Sequence, residues 1–244
     1  MAGGSFDPMK QFQLHKLADL NVAGFDLALT NSALHALVGV LVASALLVFA
    51  TRRLQLLPSR WQALSEWPYE FVHNLAQSNL GDKGKPFVPF LVTLFLFILL
   101  GNLIGLLPYA FTYTSHISVT LTLALISIGV VIGTGFTKHG LGFFKLFLPS
   151  GAPLFIAPVI VPIEVVSFFA KPISLAIRLF ANMLAGHIMI KVFAFFCTTS
   201  GFIAVFPLFG NILIYAFELF VAFLQAYIFT LLVSVYLHDA IDLH

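Results

Sequence analysis

Apolar residues run through this chain in long blocks, and the polar positions between them mark its elements. Residues 32–50 are an uncharged apolar segment closed by Thr51, Arg52 and Arg53, about the length that crosses the hydrocarbon core of a bilayer as a helix. Blocks 87–107 and 117–137 follow, ending at Pro108 and at Lys138-His139. Two final blocks, 160–197 and 207–238, exceed the roughly 20 residues of one perpendicular crossing, so they are expected to tilt or to extend beyond the core. Between the first two blocks, Trp61, Leu64, Trp67, Phe71, Val72 and Leu75 recur at helical spacing with Glu66, Glu70 and Asn74 among them. This predicts an amphipathic helix over 61–77 lying along the membrane surface; a short helix in a soluble loop is the other reading.

The pattern predicts an all-α polytopic membrane protein: five transmembrane helices, one interfacial helix, and a last pair forming a long, tilted antiparallel hairpin. Residues 1–30 form a polar N-terminal segment, and 31–244 a single membrane domain with a Gly- and Pro-rich connection over 141–158.

Composition agrees. Of 244 residues, 60% are hydrophobic and 9% charged, with a mean hydropathy of +1.01, whereas a soluble domain carries about 25% charged residues. The formal charge of +2 is spread without a basic patch, which gives nucleic acid no footprint. Cys197 is alone, so it forms no internal disulfide and has no metal-site company. The polar start lacks the apolar core of a secretory signal. No internal repeat and no phosphate-binding glycine loop is present, and neither a cofactor nor a metal is expected. Among the links, Arg52, Arg53, Arg60, Lys83, Lys85, Lys138 and Lys145 fall on one side of the predicted membrane and Lys10 and Lys16 on the other. The first side is therefore expected inside, with the N-terminus outside and the C-terminus inside.

One charge sits where it is costly. Arg178 lies in the middle of the 160–197 block, and an Arg at that depth costs about 3 kcal/mol even on the lower insertion scales. Glu164, Lys171, Ser174 and Asn182 fall close to its helical face. A guanidinium stays charged at physiological pH, so Arg178 cannot relay a proton, but it can attract a carboxylate and repel a migrating proton. An internal bridge to Glu164 would have to span about 21 Å of helix, and the earlier spans contain no acid. The expected partner of Arg178 therefore lies outside the chain. Pro172 is expected to loosen the helix just before Ser174 and Arg178, and Lys171 and Lys191 to snorkel.

The final block has its own stripe: Asn211, Glu218 and Gln225 at intervals of seven, and Tyr236 eleven further on. A hairpin turn at Thr198–Gly201 would set Arg178 level with Gln225, Asn182 with Val221, Glu164 with Asp239 and His187 with Glu218. One polar cluster then lies outward of Arg178 and one inward. Glu218 and His187 both gain and lose protons and suit a relay; a packing histidine is the plainer reading of His187. Asn182, Gln225 and Ser174 either hold water and orient Arg178 or join helices by hydrogen bonds. Glu164 and Asp239 either form an inner port or are solvated charges near helix ends, and Asp242 competes with Asp239 for that place.

SLAIRLFANMLAGH (174–187), ELFVAFLQAYIFTLLVSVYLHDAI (218–241) and LGNLIGLLPYAFTYTSH (100–116) together resemble the subunit a family of F-type ATP synthases, the stationary proton-channel subunits beside the rotor ring. The resemblance covers the chain from residue 31 onward, and its form is that of mitochondrial and related alphaproteobacterial members. It implies that Arg178 faces the rotor carboxylates and that Asn182, His187, Glu218 and Gln225 line the outer half-channel. The inner half-channel would fall to Glu164 and, as a weaker transfer, Asp239, with Ser174, Asn211 and Tyr236 as supporting polar groups. It further implies as partners the ring of c subunits, b-type peripheral stalk subunits, the rest of the synthase and the lipid bilayer. The expected location is the bacterial inner membrane, or alternatively the mitochondrial one, and ATP chemistry would lie on other subunits. A stand-alone ion channel or antiporter and a purely structural membrane subunit are the rival readings.

Overall fold

The computed structural model describes residues 16–22, 25–51, 60–107, 110–147, 155–199 and 204–242. The helices are α1 (Asn31–Thr51), α2 (Arg60–Leu80), α3 (Val88–Gly105), α4 (Ile117–His139), α5 (Ala157–Thr199) and α6 (Val205–Ile241). Tighter 3-10 turns occupy Gly81–Phe87, Tyr113–Ser115 and Gly140–Phe147. Five helical stretches are long and apolar enough to cross a membrane, as the pattern predicts. α5 and α6 have 43 and 37 residues, about 64 Å and 55 Å at helical rise, against a core of about 30 Å. They run antiparallel as a hairpin-like pair. α5 continues through both Pro162 and Pro172.

The polar N-terminal segment holds secondary structure that its polarity hides. β1 (Lys16–Val22) and β2 (Phe25–Thr30) pair antiparallel, with Val22 opposite Phe25 and Asp19 opposite Ala28. Phe25, Leu27 and Leu29 alternate with Asp26, Ala28 and Thr30, a period-two signal of a strand.

The chain divides into two compact units. The first takes the described residues up to Ala45, Phe97–His116 and Leu179–Gln225. Its packing centre is Leu106, Met183 and Ala222, with Leu103, Ile190 and Val221 against them. The Tyr215 hydroxyl donates to the Leu106 carbonyl at 3.0 Å. The link into α4 is folded into this unit: Tyr113 is fully buried and donates to the Phe97 carbonyl at 2.7 Å. Burial pushes the Tyr113 phenol above its ordinary range.

The second unit takes the described residues of Leu46–Leu96, Ile117–Arg178 and Ala226 onward. The predicted amphipathic helix is present as α2, and the face it covers carries polar as well as apolar side chains. Gln62, Ser65, Val72, Ala76 and Leu80 are buried, while Leu64 and Trp67 are 55% and 50% exposed. In lipid, apolar side chains gain little from turning inward, whereas polar ones are drawn to partners inside the bundle. Gln62 accordingly donates to Glu66 at 2.7 Å, and the Ser65 hydroxyl to the Gln62 carbonyl at 2.8 Å. Asn79 donates to the Ser234 hydroxyl at 3.0 Å, tying α2 to α6. Phe143, Phe147 and Phe168 meet edge to face, so the connection after α4 packs on α5.

Lys83 pairs with Asp242 just past the end of α6. The hydrogen bond and charge of Lys83 hold the Asp242 carboxyl below its ordinary range. A depressed carboxylate contributes stability above its unfolded value and loses it as pH falls through the folded one, so this tie is intact at neutral pH and released only in acid. Arg52 and Arg53, which helped set the expected orientation, and Lys10 lie outside the described residues, as do residues 200 and 201 of the expected turn.

Candidate functional site

In the first unit the polar residues of α5 and α6 meet at a buried seam. Asn182 Nδ2 donates to Gln225 Oε1 at 3.1 Å. Gln225 is 2% exposed, and its Nε2 has no hydrogen-bond partner among the described residues. Asn182 thus meets Gln225 rather than the expected Val221, a shift of about one helical turn. The reason is the hairpin's centre: α5 persists to Thr199 and α6 begins only at Val205, which moves the midpoint later than a 198–201 turn would place it.

Glu218 is 3% exposed, and its Oε2 has no hydrogen-bond partner among the described residues. It lies against Gly186, where a Cβ would come within 1.1 Å of the Glu218 carboxylate. Only glycine admits the carboxylate at this depth. Gly186→Ala should therefore displace the Glu218 carboxylate from this seat, which a structure of the variant would show; an unmoved Glu218 would mean that the glycine is not what admits it.

His187, next to Gly186, was expected level with Glu218. Its Nε2 shares a hydrogen bond of 2.9 Å with Thr112 Oγ1, on the link between α3 and α4. Sequence reasoning missed Thr112, because the link has no periodicity to read. It also missed Asn102, which accepts from the Thr114 hydroxyl at 2.8 Å and donates to the Ala222 carbonyl at 3.2 Å. Asn211 is half-buried on α6, its Oδ1 without a hydrogen bond among the described residues.

In the second unit, Glu164 and Asp239 come together as expected. With Lys171, Tyr236, Leu146, Phe147 and Phe168 they line a cavity of about 40 Å³, room for a water molecule. Asp242, paired with Lys83, is not among the lining residues. Lys171 does more than snorkel: its Nζ lies 5.1 Å from the centre of the Tyr236 ring, a cation–π distance. Lys171 and Tyr236 also line an open cleft of about 360 Å³ with Ser167, Ser174, Leu232 and Arg178. Arg178 and Ser174 are exposed, and Arg178 makes no ion pair with a carboxylate among the described residues. Ile173 and Ile177 are about half exposed on the same helix.

The family resemblance rests on the blocks 100–116, 174–187 and 218–241, which supply most of these residues. The model of the family described as "ATP synthase A chain" matches residues 33–238. The chain belongs to the ATP synthase subunit a family. It is 49% identical to ATP synthase subunit a of Mesorhizobium japonicum, over 99% of this chain and 98% of that one. It is 46% identical to the same subunit of Rhodospirillum rubrum, over 97% and 99%. Membership makes this a multi-pass, proton-translocating membrane subunit of an F-type ATP synthase, with the ATP chemistry on other subunits.

Proposed function

We propose that the chain provides two offset aqueous half-channels that pass protons to and from carboxylates on a rotating ring of c subunits, with Arg178 between them as the barrier to direct leak. The observation that carries this reading is the exposed Arg178, which lines an open cleft on α5 and makes no ion pair with a carboxylate among the described residues. Along that helix Glu164 lies about 21 Å to one side and His187 about 14 Å to the other. A proton arriving through Glu218, His187, Asn182 and Gln225 neutralises a ring carboxylate, which then tolerates lipid. A protonated ring carboxyl returning from the other side gives its proton to the port of Glu164 and Asp239 and becomes a carboxylate. Arg178 attracts the resulting anion and repels any proton moving straight across. Ser174 and Tyr236 shape the inner cleft, and Asn211 extends the outer path. Each proton crossing 100 mV releases about 2.3 kcal/mol, so several must cross for each ATP.

The exposed apolar flank of α5 suits a ring of helices, and b-type stalk subunits complete the stationary part. Reconstituted alone, the purified chain should conduct no protons; with the ring it should support transport that stops when rotation is blocked. Conductance by the chain alone would favour a stand-alone channel.

The membrane is the bacterial inner membrane, with the N-terminus outside and α2 along the inner surface, where Arg60, Lys83, Lys85, Lys138 and Lys145 gather. Single cysteines at exposed α2 positions such as Leu64 and Glu70, with Cys197 replaced, should react with an impermeant reagent only from the inside. Labelling only from the outside would reject this topology.

A further inference from the structure

The link between α3 and α4 reads from sequence as a connection, yet it is built like part of a site. Phe111, Thr112, Tyr113, Thr114 and Ser115 are all buried. Tyr113 is fixed to the Phe97 carbonyl and Thr114 to Asn102. Asn102 in turn bonds the α6 backbone at Ala222. The Thr112 carbonyl accepts from the Ser115 hydroxyl at 2.6 Å and from the Ser115 N–H at 3.1 Å. α3 ends on Gly105, where a Cβ would lie 2.2 Å from Thr112 Oγ1. These contacts leave the Thr112 hydroxyl one place to be, and that place is 2.9 Å from His187 Nε2.

We propose that Thr112 is a positioning residue of the proton path, holding the His187 ring through both of its protonation states. A hydroxyl both donates and accepts. Thr112 donates to Nε2 when the imidazole is neutral with its proton on Nδ1, and accepts from Nε2–H when both nitrogens carry protons. The ring thus gains or loses a proton without losing this bond or turning. Valine has the same shape but neither function; serine has both. This inference rests on the placement of His187 in the outer half-channel.

The groups that face His187 must be weighed with it. On α5 itself, Lys191 follows one turn on. On α6, the Glu218 carboxylate sits against the neighbouring Gly186. On the link, His116 stacks on Phe111 at 5.1 Å, and burial keeps its imidazole below its ordinary range and so neutral at pH 7. From α1, the His35 ring meets Phe111 at 5.9 Å. Thr112, on the link, hydrogen-bonds the ring itself.

The test measures ATP synthesis against outer-side pH in vesicles holding the whole synthase, with subunit content checked. Thr112→Val should lower the rate about tenfold, the size of one lost buried hydrogen bond. It should also move the outer-side pH midpoint toward acid, because the bond to the charged ring is the stronger of the two. Thr112→Ser should restore both. Gly105→Ala, which crowds the hydroxyl, should act like Thr112→Val. In a His187→Ala background, Thr112→Val should have no further effect. Equal loss in the valine and serine variants with no pH shift would overturn the inference by making Thr112 merely structural. If His187→Ala is impaired while Thr112→Val is normal in rate and midpoint, the positioning role falls and the outer half-channel stands. If His187→Ala itself is normal, the half-channel assignment of His187 fails. Should Thr112→Val not assemble, the Gly105→Ala and Thr112→Ser profiles decide.

Discussion

Replacing Arg178 by alanine in the assembled synthase is expected to abolish proton-driven ATP synthesis and to open a passive proton leak through the membrane sector. Arg178 is exposed on α5, lines the cleft with Ser174 and Tyr236, and makes no ion pair with a carboxylate among the described residues. Its charge is therefore available to a partner and to the field along the path. A unit charge about 4 Å from a migrating proton, at an effective dielectric of about 20, raises its energy by about 4 kcal/mol. That corresponds to about three orders of magnitude in rate, so loss of the charge should raise leak by up to that factor. Arg178→Lys separates the two roles. The charge remains and leak should stay low, but the planar fork that pairs with a carboxylate is gone, and synthesis should still fall steeply. Acid-pulse ATP synthesis and potential-driven proton uptake, measured in the same vesicles, distinguish these outcomes. Coupled synthesis in Arg178→Ala would rule out the barrier role.

The membrane spans were legible because a bilayer demands long apolar helices, and length and composition alone encode that demand. That Glu164 and Asp239 lie near one another, lining one small cavity, was legible too, since the two helices run antiparallel. The inward contacts of α2 were not. The apolar spacing marks a helix but not which of its residues are covered: Gln62 and Ser65 are buried, and Leu64 and Trp67 are exposed. With lipid as the solvent, the force that makes periodicity informative in water is nearly absent. The partner of His187 was illegible for another reason. Thr112 reaches it from a non-repeating link whose conformation is set by Gly105, Asn102 and Tyr113 together, and no local pattern carries such a three-way constraint. The β1–β2 ribbon has a signal, the alternation from Phe25 to Thr30, but it is short and lies within a segment whose polarity masks it.

Glu218→Gln is expected to suppress proton-driven ATP synthesis strongly without the leak that follows loss of Arg178. The glutamine keeps the shape that fits against Gly186 and removes the group that binds and releases a proton, so the effect isolates chemistry from packing. The barrier proposed at Arg178 is untouched, so passive permeability should stay at the wild-type level. His187→Ala should be milder, because a water admitted into the space of the ring can carry a proton in its place. The exchange His187→Glu with Glu218→His places a carboxylate on α5 and an imidazole on α6. Gly186 lies beside position 187 in sequence and against position 218 in space, so both new side chains remain near one seam. The exchange should recover more synthesis than Glu218→Gln if shared relay chemistry sets the rate, and less if the Thr112 hydroxyl at position 187 is what matters. Synthesis and proton pumping would be compared across the variants at equal subunit content. Wild-type coupling in Glu218→Gln would remove Glu218 from the proton path. An exchange variant no better than the worse single change would place the function in the individual positions, each fitted to its own side chain.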